Sequence, residues 1–221
     1  MSNRPKKCTF DEWVKHLFDH DADDFDKYHA AINKAYWCDI SDGKEVGYIT
    51  QAFENAKTVF APFSNSQLNF GLWHLVSHSS ETMYKLLDKQ VKWTDTERCV
   101  RSFFDVFEQL FAARCSSYLS SLDESKKNPL NSICYMWWDV FPFWGKYSGY
   151  EKIDDLFFEV MVATLKIDSV PCRESALHGL GHFPSRREDV EAIISQFLED
   201  NPQIRPELRE YALLAQFGHI L

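Results

Sequence analysis

The chain has no CxxC pair, no glycine-rich phosphate loop, no GxSxG elbow and no apolar run long enough to cross a membrane. Each absence removes a class. Without CxxC spacing, the usual cysteine arrangements for zinc and for thioredoxin-type redox chemistry are missing. Without a strand leading into a glycine-rich turn, nothing cradles a nucleotide's phosphates, and Gly179-Leu180-Gly181 is too short to serve. Without the elbow there is no α/β-hydrolase nucleophile. The opening MSNRPKKCTF carries charge but no apolar core, so neither a signal peptide nor a membrane span is expected there. Glycine and proline are sparse, 8 each in 221 residues. No alternating run bounded by turn residues appears, so a sheet is not expected. Positive charge is short as well: 24 Lys+Arg face 33 Asp+Glu, for a net charge of -9. A field of that sign repels phosphate backbones, so no nucleic-acid partner is expected and a cationic one is.

Large rings and helical spacing fill the chain instead. It holds 18 Phe and 7 Trp, enough for a ring-built core. Phe10, Trp13, Val14, Leu17 and Phe18 follow the spacing of one buried helix face, behind a Thr9/Glu12 capping box. The pattern returns at Phe103 to Phe111 behind Thr94 and Glu97, at Ile153 to Met161, and at Val190 to Leu198 behind Ser185 and Glu188. A last helix opens at Pro206 and buries Leu208, Tyr211, Ala212 and Ala215. Further helices are expected over 24–37, 44–60, 66–77, 80–89 and 129–141, the last stopped by Pro142. Cys8, Cys38, Cys99, Cys115, Cys134 and Cys172 are scattered through these patterns, which predicts reduced, buried thiols in a cytoplasmic protein.

Ser169 to Asp200 reads as a helix, a tight break and a second amphipathic helix. Within it Val170 to Gly181, with Arg173, Ala176, Leu177, Leu180 and Gly181, resembles the second half of a HEAT-type repeat. That resemblance implies an all-α, HEAT-like α-solenoid of stacked antiparallel helix pairs. One domain is expected over 1–221, with a divergent helical part over 1–125 and clearer HEAT-like pairs over 126–221. SNSQLNFGLWHL, SICYMWWDVFPFWG and CRESALHGLGH also resemble an uncharacterised family of bacterial proteins. That likeness implies a bacterial, cytoplasmic, helical protein.

Three groups of residues could carry chemistry. His16/His20, His74/His78 and His178/His182 each have the i, i+4 spacing that puts two imidazoles on one helix face. No Glu follows any of them, unlike the His-Glu pairs of HEAT-like iron hydroxylases, and no third ligand is evident, so neither metal nor cofactor is expected. Asp19, Asp21 and Asp23 imitate the start of a calcium loop. Asp24 stands where the turn glycine belongs, and Ala30 where the closing glutamate belongs. The run is therefore expected to be a solvated connection, with Asp21, Asp23, Asp24 and Asp26 available to a basic partner. Trp137 and Trp138 are adjacent, so one of them is expected to leave the core and offer an apolar anchor. Asp139 beside Trp138 is similar to the Trp and Asp pairing of HEAT-like DNA glycosylases, the enzymatic alternative. Arg186 and Arg187 fall in a first helical turn, where cations oppose the macrodipole.

No converging catalytic set is legible, so the chain is expected to be no enzyme but a protein-binding module. The partner class that fits its acidity is a basic toxin, such as a nuclease, held by an immunity protein. Asp21, Asp23, Asp24, Asp26, Trp137, Trp138, Asp139, His178 and His182 are the expected contact residues. A scaffold without a toxin is the remaining reading.

Overall fold

Thr9 begins the first helix as its sequence dictates. Its hydroxyl accepts from the Glu12 N–H at 3.3 Å, and the Glu12 carboxylate accepts from the Thr9 N–H at 3.0 Å. Two orphan donors of the first turn are thereby satisfied. Trp13, Val14, Leu17 and Phe18 then turn inward together, each side chain worth about 1.5–3 kcal/mol when buried. The computed structural model describes residues 7–21, 24–32, 39–78, 80–122, 128–141 and 151–220, with only the backbone of residues 25 and 29.

The helices are α1 (Phe10–Phe18), α2 (Phe25–Ile32), α3 (Asp42–Glu54), α4 (Ala56–Val59), α5 (Asn65–Val76), α6 (Trp93–Arg101), α7 (Phe103–Val106), α8 (Ala112–Arg114), α9 (Leu130–Val140), α10 (Glu151–Thr164), α11 (Val170–Gly181), α12 (Arg187–Asp200) and α13 (Pro206–Gln216). Among the described residues there is no strand. No helix among them is long and apolar enough to cross a membrane. Two series of neighbours order the helices. In one, α1 lies on α5, α5 on α9, α9 on α11 and α11 on α13. In the other, α3 lies on α6 and α6 on α10, and α10 and α12 pack across onto α11 and α13. A single cluster of buried side chains runs from Cys8 to Ile220.

Several local expectations change. Thr94 lies inside α6, whose cap is Lys92 without a side-chain bond. Glu97 instead takes Arg101 one turn on, at 3.1 Å. The Ser185/Glu188 box does not form either, because a 3₁₀ turn over Pro184–Arg186 precedes α12. Both arginines are committed within the fold. Arg186 pairs with Asp155 and lies over the Phe158 ring at 4.8 Å. Arg187 reaches the Gly181 carbonyl at 3.2 Å and that of Ala215 at 3.4 Å, closing the ends of two helices whose carbonyls face its charge. Thr82–Leu87 is a 3₁₀ segment rather than an α-helix, and the 103–111 face is carried through a π-helical turn at Phe107–Phe111. That turn keeps Phe103, Val106, Phe107, Leu110 and Phe111 all buried.

The cysteines divide. Cys99, Cys115, Cys134 and Cys172 are free, and burial pushes the Cys99 thiol up to about 12. Cys8 is disulfide-bonded, which corrects the expectation of reduced thiols throughout. The spacing of scattered cysteines does not encode pairing.

The adjacent tryptophans are the other correction. Both Trp137 and Trp138 are 0% exposed. α9 is covered on two sides, so side chains one residue apart each find a core. Trp137 meets Phe53, Phe103, Phe107 and Phe111, while Trp138 stacks on Phe107 at 5.8 Å and meets the Phe157 edge. Neither is available as an apolar anchor on the surface. Large apolar side chains that do face solvent are Trp93, Leu122, Leu213, Leu214 and Phe217.

Candidate functional site

α11 passes unusually close to its neighbours. A Cβ added at Gly179 would stand 2.7 Å from the Trp138 ring, and one at Gly181 would stand 2.4 Å from Ile220. Glycine at both positions lets the α11 backbone approach α9 and the chain end beyond α13. The helix continues through both glycines: α11 runs to Gly181 and His182 is its cap. That close approach carries the polar residues of three helices together.

Glu174, His178 and His182 lie four residues apart along α11, and Tyr135 and Asp139 lie four apart along α9. Such spacings share a face. His178 is fully buried. Its Nε2 lies 2.9 Å from Asp139 Oδ2 and its Nδ1 lies 2.6 Å from the Tyr211 hydroxyl of α13. Tyr211 continues to the Tyr135 hydroxyl at 3.1 Å. The result is a chain of hydrogen bonds, Asp139–His178–Tyr211–Tyr135, across three helices. His182 adds its Nε2 at 3.7 Å from Asp139 Oδ1, with its ring edge-on to His178. Its Nε2 is itself shielded from solvent and has no hydrogen-bond partner. One turn the other way, the buried Glu174 carboxylate accepts the N–H groups of Ser120 and Ser121 at 2.9 and 2.8 Å.

Burial dominates the electrostatics. It holds His182 below the usual imidazole range, against the pull of Asp139. It raises Glu174 above the usual carboxylate range, against the donors at Ser121 and Ser120. It also raises the phenols of Tyr135 and Tyr211, so both stay protonated at neutral pH. Asp139 and His182 keep 29% and 35% of their side chains exposed, so the cluster is sealed on the His178 side and open on the other. Donor atoms of Asp139, His178 and His182 all lie within 4.8 Å of one another, the spacing of a group that could share one metal ion.

The sequence-predicted residues therefore separate into three sets. Asp139, His178 and His182 converge. Trp137 and Trp138 are core. Asp21, Asp24 and Asp26 are exposed at the α1–α2 connection, and Asp23 lies outside the described residues. Asp24 Oδ1 accepts from the N–H groups of Asp26 and Lys27, at 2.9 and 3.3 Å, so it caps α2. The other histidine pairs go elsewhere. The rings of His16 and His20 meet edge to face, and burial followed by His20's charge lowers His16 to about 4. His78 Nδ1 bonds the Tyr84 hydroxyl at 2.9 Å.

Tyr135, Glu174 and Tyr211 escaped sequence reasoning. The i, i+4 spacings Tyr135/Asp139 and Glu174/His178 were the available signal for two of them; nothing local marked Tyr211. No family model, curated protein or solved structure matches the chain.

Proposed function

We propose that the protein acts by binding another protein, not by catalysis, and that the acidic α1–α2 connection faces a basic surface on that partner. One observation carries this reading. Asp19, Asp21, Asp24 and Asp26 are all exposed within one short connection of a chain whose net charge is -9. No ion pair holds Asp19, Asp24 or Asp26 among the described residues. Unneutralised carboxylates set close together attract a cationic surface and speed its encounter. The two series of packed helices support a HEAT-like stack, an architecture that presents a long face to partners. An immunity protein covering a basic toxin, its carboxylates standing in for a nucleic acid's phosphates, is the specific form we propose.

The test is capture from the native cell with the tagged protein at about 0.1 M and 1 M salt, where the screening length is about 10 Å and 3 Å. The expected result is one basic protein held at the lower salt and lost at the higher. A variant with Asp19, Asp21 and Asp26 changed to Asn, leaving the Asp24 cap in place, is expected to lose it at both. An acidic partner, or binding indifferent to salt and to these substitutions, would refute the reading.

A further inference from the structure

We infer that Asp139, His178 and His182 form a binding site for a divalent first-row cation, one with two imidazoles, one carboxylate and an open side. The site does not depend on the protein-binding reading.

Spacing is the first argument. Zinc holds nitrogen and oxygen donors at about 2.0–2.2 Å, so two donors of one tetrahedral ion stand roughly 3.3–3.5 Å apart. His178 Nε2 is 2.9 Å from Asp139 Oδ2 and His182 Nε2 is 3.7 Å from Asp139 Oδ1. The two imidazoles face different oxygens of one carboxylate, and the three donors, all within 4.8 Å of one another, would draw in together around an ion. His182, as the cap of α11, belongs to the partly exposed half of the cluster.

The second argument is the state of the donor atoms. His182 Nε2 is shielded from water, has no hydrogen-bond partner, and lies 3.7 Å from Asp139 Oδ1. A buried imidazole nitrogen left without a partner is costly, and a cation shared with Asp139 would satisfy it. His178 is oriented from behind. A neutral imidazole whose Nδ1–H is donated to Tyr211 presents its Nε2 lone pair toward Asp139. Tyr211 then donates to Tyr135, which is partly exposed and can direct its own O–H to solvent. This is the outer support that metal-bound histidines use, with a phenol accepting where a carboxylate or carbonyl often does. The same chain can also run in the opposite direction, with His178 Nε2–H donated to Asp139, and a bound cation selects the first direction.

The third argument is the setting. The C-terminal end of α11 lies at His182, and its carbonyl dipoles favour positive charge there. Among the described residues Arg187 is a positive charge acting on His182, but it is turned onto the carbonyls of Gly181, Ala215 and Gln216. Asp139 keeps 29% of its side chain exposed, so water would complete the coordination from the carboxylate side, as in an open rather than a closed structural site.

The experiment uses untagged, full-length protein stripped with chelator and titrated with Zn²⁺ alone and Co²⁺ alone. Expected are one ion bound per chain and a Co²⁺ visible spectrum of nitrogen and oxygen ligation. His182→Gln and Asp139→Asn, both at partly exposed positions, are expected to weaken binding at least tenfold without altering the apo protein's circular dichroism. Tyr211→Phe, a positioning change that removes the acceptor for His178 Nδ1–H, should weaken it about 10–100-fold. His78→Gln should leave it unchanged. Absence of stoichiometric binding at micromolar metal would overturn the inference. So would binding that survives both His182→Gln and Asp139→Asn, or that His78→Gln weakens as much as they do.

Discussion

α1 and α11 are both helices of ordinary length, yet they belong to different regimes. α1 buries one face, Trp13, Val14, Leu17 and Phe18, and shows the other to solvent. α11 buries Pro171, Cys172 and every position from Glu174 to Gly181, including a glutamate and a histidine. A half-buried helix writes its orientation into its sequence as periodicity. A helix enclosed by α9, α10, α12 and α13 has no outside to record, so its sequence records instead which neighbour each position meets. Small residues stand where a backbone comes close, and polar residues where a partner is waiting. Charge is distributed the same way. Asp19, Asp21, Asp24 and Asp26 are exposed, whereas Glu174, His178 and Asp139 are each tied by hydrogen bonds between elements.

That contrast can be broken most severely at the contact between α9 and α11. Trp138→Ala empties the ring space that Gly179 leans on and is expected to cost about 3–5 kcal/mol, read as a fall in the denaturant midpoint. Next comes a pair of glycines inside helices. Gly179→Ala should destabilise by about 1–3 kcal/mol, because the new methyl meets the Trp138 ring. Gly47→Ala in α3 has nothing within 4 Å and should stabilise by about 0.5–1 kcal/mol through helix propensity. Opposite signs for one chemical change would establish that enclosure, not helicity, decides; equal signs would remove the distinction.

A smaller effect belongs to the α1 end. Burial lowers His16 to about 4, below its unfolded value of about 6.5. The unfolded chain then binds the extra proton first. Stability is full above about pH 6.5 and falls as pH drops toward 4, by about 1–2 kcal/mol once screening of this half-exposed ring is allowed for. Glu174 acts with the opposite sign, since its raised pKa makes acid relieve a buried carboxylate. The difference between wild-type and His16→Gln unfolding curves across that range isolates the histidine. Smallest is the cap: Thr9→Ala should cost about 1 kcal/mol, with increased exchange of the first-turn amides of α1.

The surface helices were legible because their chemistry is local. Thr9 with Glu12, the inward stripe of α1 and Pro206 at the start of α13 each act within a few residues. Even there tertiary contacts could prevail. Thr94/Glu97 and Ser185/Glu188 have the same local form as the box at Thr9, but Arg101 draws Glu97 away, and Arg186 and Arg187 are held by Asp155 and by helix-end carbonyls. The tryptophan pair misled for a related reason. Adjacent residues diverge on any helix, but whether divergence means exposure depends on what covers the second side.

By itself, then, the sequence determined the all-helical class, the placement of its amphipathic segments and the acidic connection at Asp19 to Asp26, since all three follow from side-chain type and short spacing. It also supplied His178, His182 and Asp139 as separate suggestions. Only the tertiary structure decided that these three meet, that Tyr211 and Tyr135 support them, and that both tryptophans are core. Those outcomes rest on α11 reaching α9 and α13 through glycine contacts, and a contact between residues 39 or 33 positions apart leaves no periodic trace in the chain.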